Sequence, residues 1–215
     1  MAKIIAYVDG FNTYYGLFKG KNDRPPLFPP KFKWLNWVAV IQKLFPDDEL
    51  IRVRYFTARV LPTRSDPRQP ERQNLYFDAL GSIATVRITL GNFKLRRDEL
   101  PLWEGGEIVS VARMEEKGSD VNLASFLLLD AFKGQFEKAV IVSNDSDLEM
   151  PVKLAKEQLA KEVQIVNPTS DKDVLKTSVS KPNLRLSESV LAACQFSSPL
   201  TLKTGRVLRK PDSWA

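Results

Sequence analysis

The chain has 215 residues, 32 Lys and Arg against 26 Asp and Glu (net +6), one cysteine and no histidine. Without histidine there is no His-based triad, no His general base and no His-liganded zinc. The lone Cys194 excludes an internal disulfide and fits a reducing compartment. No apolar run approaches the roughly 20 residues of a membrane span, and the length suits one domain, with or without an appendage.

Ile4 to Val8 form the first predicted strand, which runs straight into Asp9, Gly10, Phe11 and Asn12. A strand so near the start leaves no secretory signal, so a cytoplasmic protein is expected. TYYGLF reads as a turn or short helix, and the Pro-rich, charged residues 19–33 as a loop. Trp34, Trp37, Val38, Ile41, Leu44 and Phe45 then make a helical stripe ended by Pro46, with both tryptophans read as core. Strand two covers 50–60. A polar loop follows over 62–72, and then a helix with Leu75, Tyr76, Ala79 and Leu80 on one side, closed by Gly81. Strand three covers 83–90. Residues 92–114 read as an antiparallel excursion around Pro101 and Gly105–Gly106.

Gly118 and Ser119 break the chain, and Asp120 opens a helix with Ser119 as its cap and Val121, Ala124, Leu127, Leu128 and Ala131 inward. Ala139 to Ser143 is an unbroken run of small and β-branched residues, as in a strand buried on both faces, and it leads into Asn144, Asp145, Ser146 and Asp147. Ser146 and Glu149 match a capping box, but Pro151 favours a helix starting about two residues later, which leaves Asp147 in the loop. Strand five is Val163 to Val166. Residues 170–195 suggest one or two short helices, and the basic stretch 196–215 a strap or a disordered tail. The β-α alternation implies a doubly wound, mainly parallel sheet with a small antiparallel excursion. The chain divides into a domain over 1–168 and an extension over 169–215.

In such sheets the ligand site lies beyond the carboxyl ends of the strands. Asp9, Asp145 and Asp147 stand there, with Asp120 a further acid at a helix start. Each alone has an ordinary reading as turn residue, dipole partner or cap; the ordered set points to convergence. Two unit charges 4 Å apart cost about 4 kcal/mol at an effective dielectric near 20. A cluster of carboxylates therefore keeps protons or binds a divalent cation, and oxygen ligands favour Mg²⁺ or Mn²⁺. Asp9 and Asp145 are expected in direct contact with the metal, and Asp120 and Asp147 directly or through water. Asn12 is assigned to a phosphate oxygen or metal-bound water, and Lys117 to a backbone phosphate.

A basic chain with an acidic pocket suits a polyanionic substrate. Arg64, Arg68, Arg72, Arg96 and Arg97 are placed in loops on the substrate side, and Arg52, Arg54 and Arg59 on a solvent face or phosphate track. Glu115 and Glu116 read as solvated, Cys194 as buried, and Asp171 and Asp173 as optional additions to the site.

DGFN, EEKGSDVNLA and VSNDSD, in this order and these contexts, resemble the NYN domain, a branch of the PIN-like nucleases. The resemblance covers roughly residues 3–168, and RKPDSW resembles the ending of bacterial, LabA-like members. It implies a three-layer α/β/α fold and metal-dependent RNA cleavage, with Asp9, Asn12, Asp120, Asp145 and Asp147 as site residues and Ser143 and Asn144 beside them. The usual form there is Ser-Gly-Asp-Ser-Asp; Asn144 in place of the glycine is expected to narrow the approach of substrate.

The leading reading is thus an Mg²⁺- or Mn²⁺-dependent ribonuclease acting on RNA, single-stranded or structured, for which a homodimer would extend the basic surface. The alternative is a non-catalytic nucleic-acid-binding or regulatory module on the same fold. A strand-end Asp phosphohydrolase wants a second acid where Phe11 stands, and no Gly-rich phosphate loop is present.

Overall fold

The computed structural model describes residues 1–19, 25–102, 105–169, 172, 175 and 183–215. Its central strand is β1 (Lys3–Asp9), in which every residue after Lys3 is buried. β1 pairs in parallel with β2 (Glu49–Ala58) on one side and β5 (Lys138–Val142) on the other. With β3 (Val86–Pro101), β4 (Ile108–Lys117), β6 (Glu162–Asn167) and β7 (Leu184–Arg185) they form a sheet in the order β4-β3-β2-β1-β5-β6-β7. β1 therefore sits among parallel neighbours, which explains its unbroken apolar run.

Alternation along β1 splits the core. Ile4, Ala6 and Val8 pack with Trp34, Trp37 and Ile41, under α2 (Trp37–Leu44) and α3 (Gln69–Gly81). Ile5 and Tyr7 pack with Leu123, Leu127, Leu148 and Val152, under α4 (Ser119–Phe132) and α5 (Glu149–Glu157). Helices thus cover both faces, as the alternation of elements implied.

Several elements differ from the sequence reading. Strand three and the first arm of the excursion are one 16-residue strand: Val86 and the residues after it pair in parallel with β2, and Asn92 to Pro101 pair antiparallel with β4. Pro101 is the first residue along it that lacks a ladder donor. Arg96 and Arg97 accordingly lie on a strand, where Arg96 pairs with Glu115 at 3.3 Å and Arg97 Nε donates to Ser110 Oγ at 2.8 Å. Helix α3 begins at Gln69 because Pro70 is tolerated in a first turn, so Arg72 is helical and paired with Asp66.

Helix α4 turns inward differently. Val121 is 69% exposed, whereas Leu123, Leu127, Asp130 and Ala131 are buried. The cause is a charge. Arg54 on β2 donates to Asp130 from Nε at 2.7 Å and from Nη2 at 2.8 Å, and the Tyr7 hydroxyl donates to the same carboxylate at 2.9 Å. The Arg54 guanidinium also stacks 4.3 Å from the Phe126 ring centroid. Arg54 is therefore an interior ion-pair partner rather than part of a phosphate track.

The basic stretch is a strap. After α6 (Glu188–Ala193), β8 (Leu200–Thr201) pairs antiparallel with β9 (Val207–Leu208), and a single turn, Asp212–Trp214, brings Trp214 against Trp34 and Tyr76. Trp34 Nε1 donates to Ser197 O at 3.2 Å, and Cys194, Phe196 and Leu208 are buried in the same core. Asp171 and Asp173 lie outside the described residues.

Candidate metal centre

The DGFN turn is built on close approach. α1 (Gly10–Tyr14) starts at once after β1, and a Cβ at Gly10 would stand 2.8 Å from Phe56 O and 2.9 Å from the Tyr55 ring. Only glycine lets the turn lie this near β2. Asp9 caps α1: its Oδ1 accepts the Asn12 N–H at 2.9 Å, and its Oδ2 accepts the Ser143 hydroxyl at 2.9 Å. Asp9 is only 3% exposed. Burial pushes its pKa up to about 7, with Asp120 and Asp145 adding repulsion against the two hydrogen bonds.

Asp145 follows β5 and caps the turn Ser146–Leu148, accepting the Asp147 N–H at 3.0 Å. Its own N–H donates to Ser143 Oγ at 3.2 Å. Helix α5 begins at Glu149 with Pro151 in its first turn, and Asp147 precedes it in that short turn, exposed. Asp120 reaches the site through a turn at Gly118, whose φ of +101° is a left-handed conformation suited to glycine. Burial raises its pKa to about 6, reinforced by Asp145, Glu116 and Asp147.

One oxygen from each of Asp9, Asp120 and Asp145 lies within 4.8 Å of the others. Three half- to fully buried carboxylates offering only oxygen fit a hard divalent cation, which would relieve the repulsion that raises two of them. Asp147 stands outside this trio and acts on it as a nearby charge.

Other expected residues take different places. Asn12 Oδ1 accepts the Asn144 N–H at 3.0 Å, tying the β1 turn to the β5 turn. The Asn144 side chain binds the segment after β6: Nδ2 donates to Thr169 Oγ1 at 3.3 Å and Lys172 O at 3.0 Å, and Oδ1 accepts the Leu175 N–H at 3.3 Å. It fastens that segment instead of leaning over the carboxylates. Lys117 is exposed and ion-paired with Glu115 at 2.6 Å. Arg64 and Arg68 are exposed beside the start of α3, Arg68 pairing with Glu71 at 3.0 Å. Glu116, read from sequence as solvated, caps α4. Its carboxylate accepts the Ser119 N–H at 3.1 Å and the Ser119 hydroxyl at 2.8 Å, so Ser119 is the first helical residue and not the cap.

A mainly parallel sheet with helices on both faces, carrying an acidic trio beyond the ends of its central strands, defines an α/β protein with a candidate metal centre. The NYN domain family matches residues 3–182, and the chain belongs to that family of PIN-like nucleases. It is similar to the 6-hydroxy-3-succinoylpyridine 3-monooxygenase HspA of Pseudomonas putida (strain DSM 28022 / S16), 26% identical over 97% of this chain and 74% of that protein. Its fold is like that of a crystal structure of a protein of unknown function from Vibrio parahaemolyticus RIMD 2210633, with a TM-score of 0.53 and 16% identity over 87% of this chain and 94% of that one. Among the described residues no helix is long and apolar enough to cross a membrane.

Proposed function

We propose that the protein hydrolyses RNA phosphodiester bonds with Mg²⁺ or Mn²⁺ held by Asp9, Asp120 and Asp145. The observation that carries this reading is the convergence of these three carboxylates within 4.8 Å in an NYN domain. Such a cation, when bound, supplies charge neutralisation at the phosphoryl oxygens and a water of lowered pKa. The chain's own groups do the rest. Ser143 and the Asn12 N–H fix the Asp9 carboxylate by hydrogen bonds that favour its ionised form. Asn12 holds the two strand-end turns in register. Asp147 is available to orient a water, and Lys117, Arg64 and Arg68 to attract phosphates. The test is an end-labelled single-stranded RNA in Mg²⁺, in Mn²⁺ and in EDTA, with the wild type beside Asp9→Asn and Asp145→Asn. Cleavage that needs metal and is lost in both variants supports the assignment. Salt-sensitive binding without cleavage gives the non-catalytic module instead.

The Pseudomonas putida relative favours a second reading, in which the substrate is a small hydroxypyridine that gains an oxygen atom from dioxygen with electrons from an added reductant. Incubation of 6-hydroxy-3-succinoylpyridine with protein, dioxygen and reductant tests it, the positive result being loss of the substrate with formation of a pyridine that carries a hydroxyl at carbon 3 in place of the released acyl chain.

A further inference from the structure

On the face of the sheet covered by α2 and α3 is a cavity of about 290 Å³, at the small end of the range for ligand sites. Gly10 and Phe11, which follow Asp9 in the chain, form part of its wall, and none of the three carboxylates lines it. Its other walls come from distant segments, with Tyr14, Trp37, Tyr55, Tyr76, Phe93 and Trp214 presenting aromatic surface. Phe93 meets Phe11 edge to face at 5.6 Å between centroids, and Tyr76 meets both Tyr55 and Trp214 the same way at 6.2 Å. The strap thus completes the cavity by delivering Trp214.

Two polar groups inside it are not explained by folding. Thr13 lines the cavity, is 3% exposed, and among the described residues its Oγ1 has no hydrogen-bond partner. Buried hydroxyls are normally satisfied, so an unpartnered one on a residue that lines a cavity marks that wall as a place for a ligand atom. Lys33 projects a half-buried amine, 3.4 Å from the Tyr14 hydroxyl and 5.0 Å from that ring's centroid. Burial and the neighbouring Arg72 lower its pKa, with Asp66, which pairs with Arg72, opposing the shift. Aromatic walls, an unpartnered hydroxyl and a half-buried amine in one cavity fit a planar heteroaromatic ring that carries an anionic group.

We propose that this cavity is a nucleotide subsite: the base lies between the aromatic walls with a polar edge on Thr13, and its phosphate faces Lys33. Its connection to the reaction, as the seat of an unpaired base beside the phosphodiester addressed by the carboxylates, rests on the ribonuclease reading. The nucleotide comes either from within RNA or free in solution.

Trp37 and Trp214 make intrinsic fluorescence the readout. The full chain is titrated in EDTA with the four nucleoside 5′-monophosphates and with ribose 5-phosphate as the baseless control. Saturable quenching by at least one nucleotide and none by ribose 5-phosphate is expected. Thr13→Val and Lys33→Met should each weaken binding about tenfold, the effect of one good polar contact. Thr13→Val should keep or raise Tm, since it removes an unsatisfied hydroxyl, and should leave Mn²⁺ binding by calorimetry unchanged. If the variants also raise KM for RNA with kcat held within a factor of about three, the base belongs to the RNA; if KM is unchanged, the ligand is a free mononucleotide. Absence of quenching, equal quenching by ribose 5-phosphate, or undiminished affinity in both variants overturns the subsite. A wild type that binds nucleotides but cleaves no RNA overturns the ribonuclease reading and leaves the subsite standing.

Discussion

Ser143 and Asp9 are joined by a 2.9 Å hydrogen bond from a hydroxyl that also accepts the Asp145 N–H. One serine therefore holds the Asp9 carboxylate and the backbone of Asp145. The bond lowers the Asp9 pKa against the burial that raises it. In Ser143→Ala that support is lost, and Asp9 should ionise only at higher pH. Hydrogen bonds to charged groups are worth about 1.5–3 kcal/mol, so the acid limb of metal-dependent cleavage should move up by about one to two pH units. A pH–rate profile of the variant checks this.

Stability of the metal-free protein should fall as pH rises through the acid range. Folded Asp9 keeps its proton to about pH 7, while its ordinary value is 3.8. Between those values the folded state binds more protons than the unfolded one, so ionisation of Asp9 works against folding, by roughly 4 kcal/mol at most. Asp9→Asn should therefore raise Tm at pH 8 and have little effect at pH 3.5. Mn²⁺ should raise the wild-type Tm more at pH 8 than at pH 5.5, because the metal and protons compete for the same oxygens. Thermal melts across pH, with and without metal, decide both points.

Asp145→Asn should reduce cleavage at least about a hundredfold, equivalent to about 2.7 kcal/mol of barrier. Asp147→Asn, exposed and outside the converging trio, should cost less than about tenfold. Equal losses in single-turnover rate would place Asp147 among the metal ligands.

Arg54→Met should destabilise the fold by about 3–5 kcal/mol, since Asp130 is left buried without its partner. The Arg54→Met, Asp130→Asn double variant should recover much of this. Urea unfolding of the single and double variants measures the coupling, and Mn²⁺ affinity per folded molecule should be unchanged in both.

RNA binding in EDTA should weaken linearly in log Kd against log salt, the signature of counterions released from neutralised phosphates. Arg64→Glu with Arg68→Glu should flatten that slope by about one to two. A flat wild-type response would remove RNA as a partner of the basic surface.

The frame was legible because β1 and β5 are apolar runs ending on acids, and a buried parallel strand leaves that mark in local sequence. The carboxylates were legible for the same reason. The inward face of α4 was not: an aspartate inside a helix reads as solvated, and only Arg54 from β2 explains why Asp130 is buried. The role of Glu116 was hidden because the familiar capping pattern places the acid after the serine, whereas here it lies three residues before Ser119. The aromatic cavity was illegible for want of locality; Thr13, Lys33, Tyr55 and Trp214 share no spacing that periodicity could register. The preference for Asp147 ahead of α5, drawn from Pro151 alone, agrees with the helix beginning at Glu149.

The place of β1 between β2 and β5 has a kinetic side. Tyr7 pairs with Arg54 across one edge and with Ile141 across the other. The first edge closes over a short stretch of chain; the second must wait for a much longer loop to close, and such non-local pairing is slow. With β5 undocked, Asp9 would lie at an open strand edge, away from Asp145. Docking of β5 is the step that brings Asp145 to Asp9, so their repulsion belongs to that step. Substitutions that relieve it should slow unfolding while leaving the folding rate nearly unchanged.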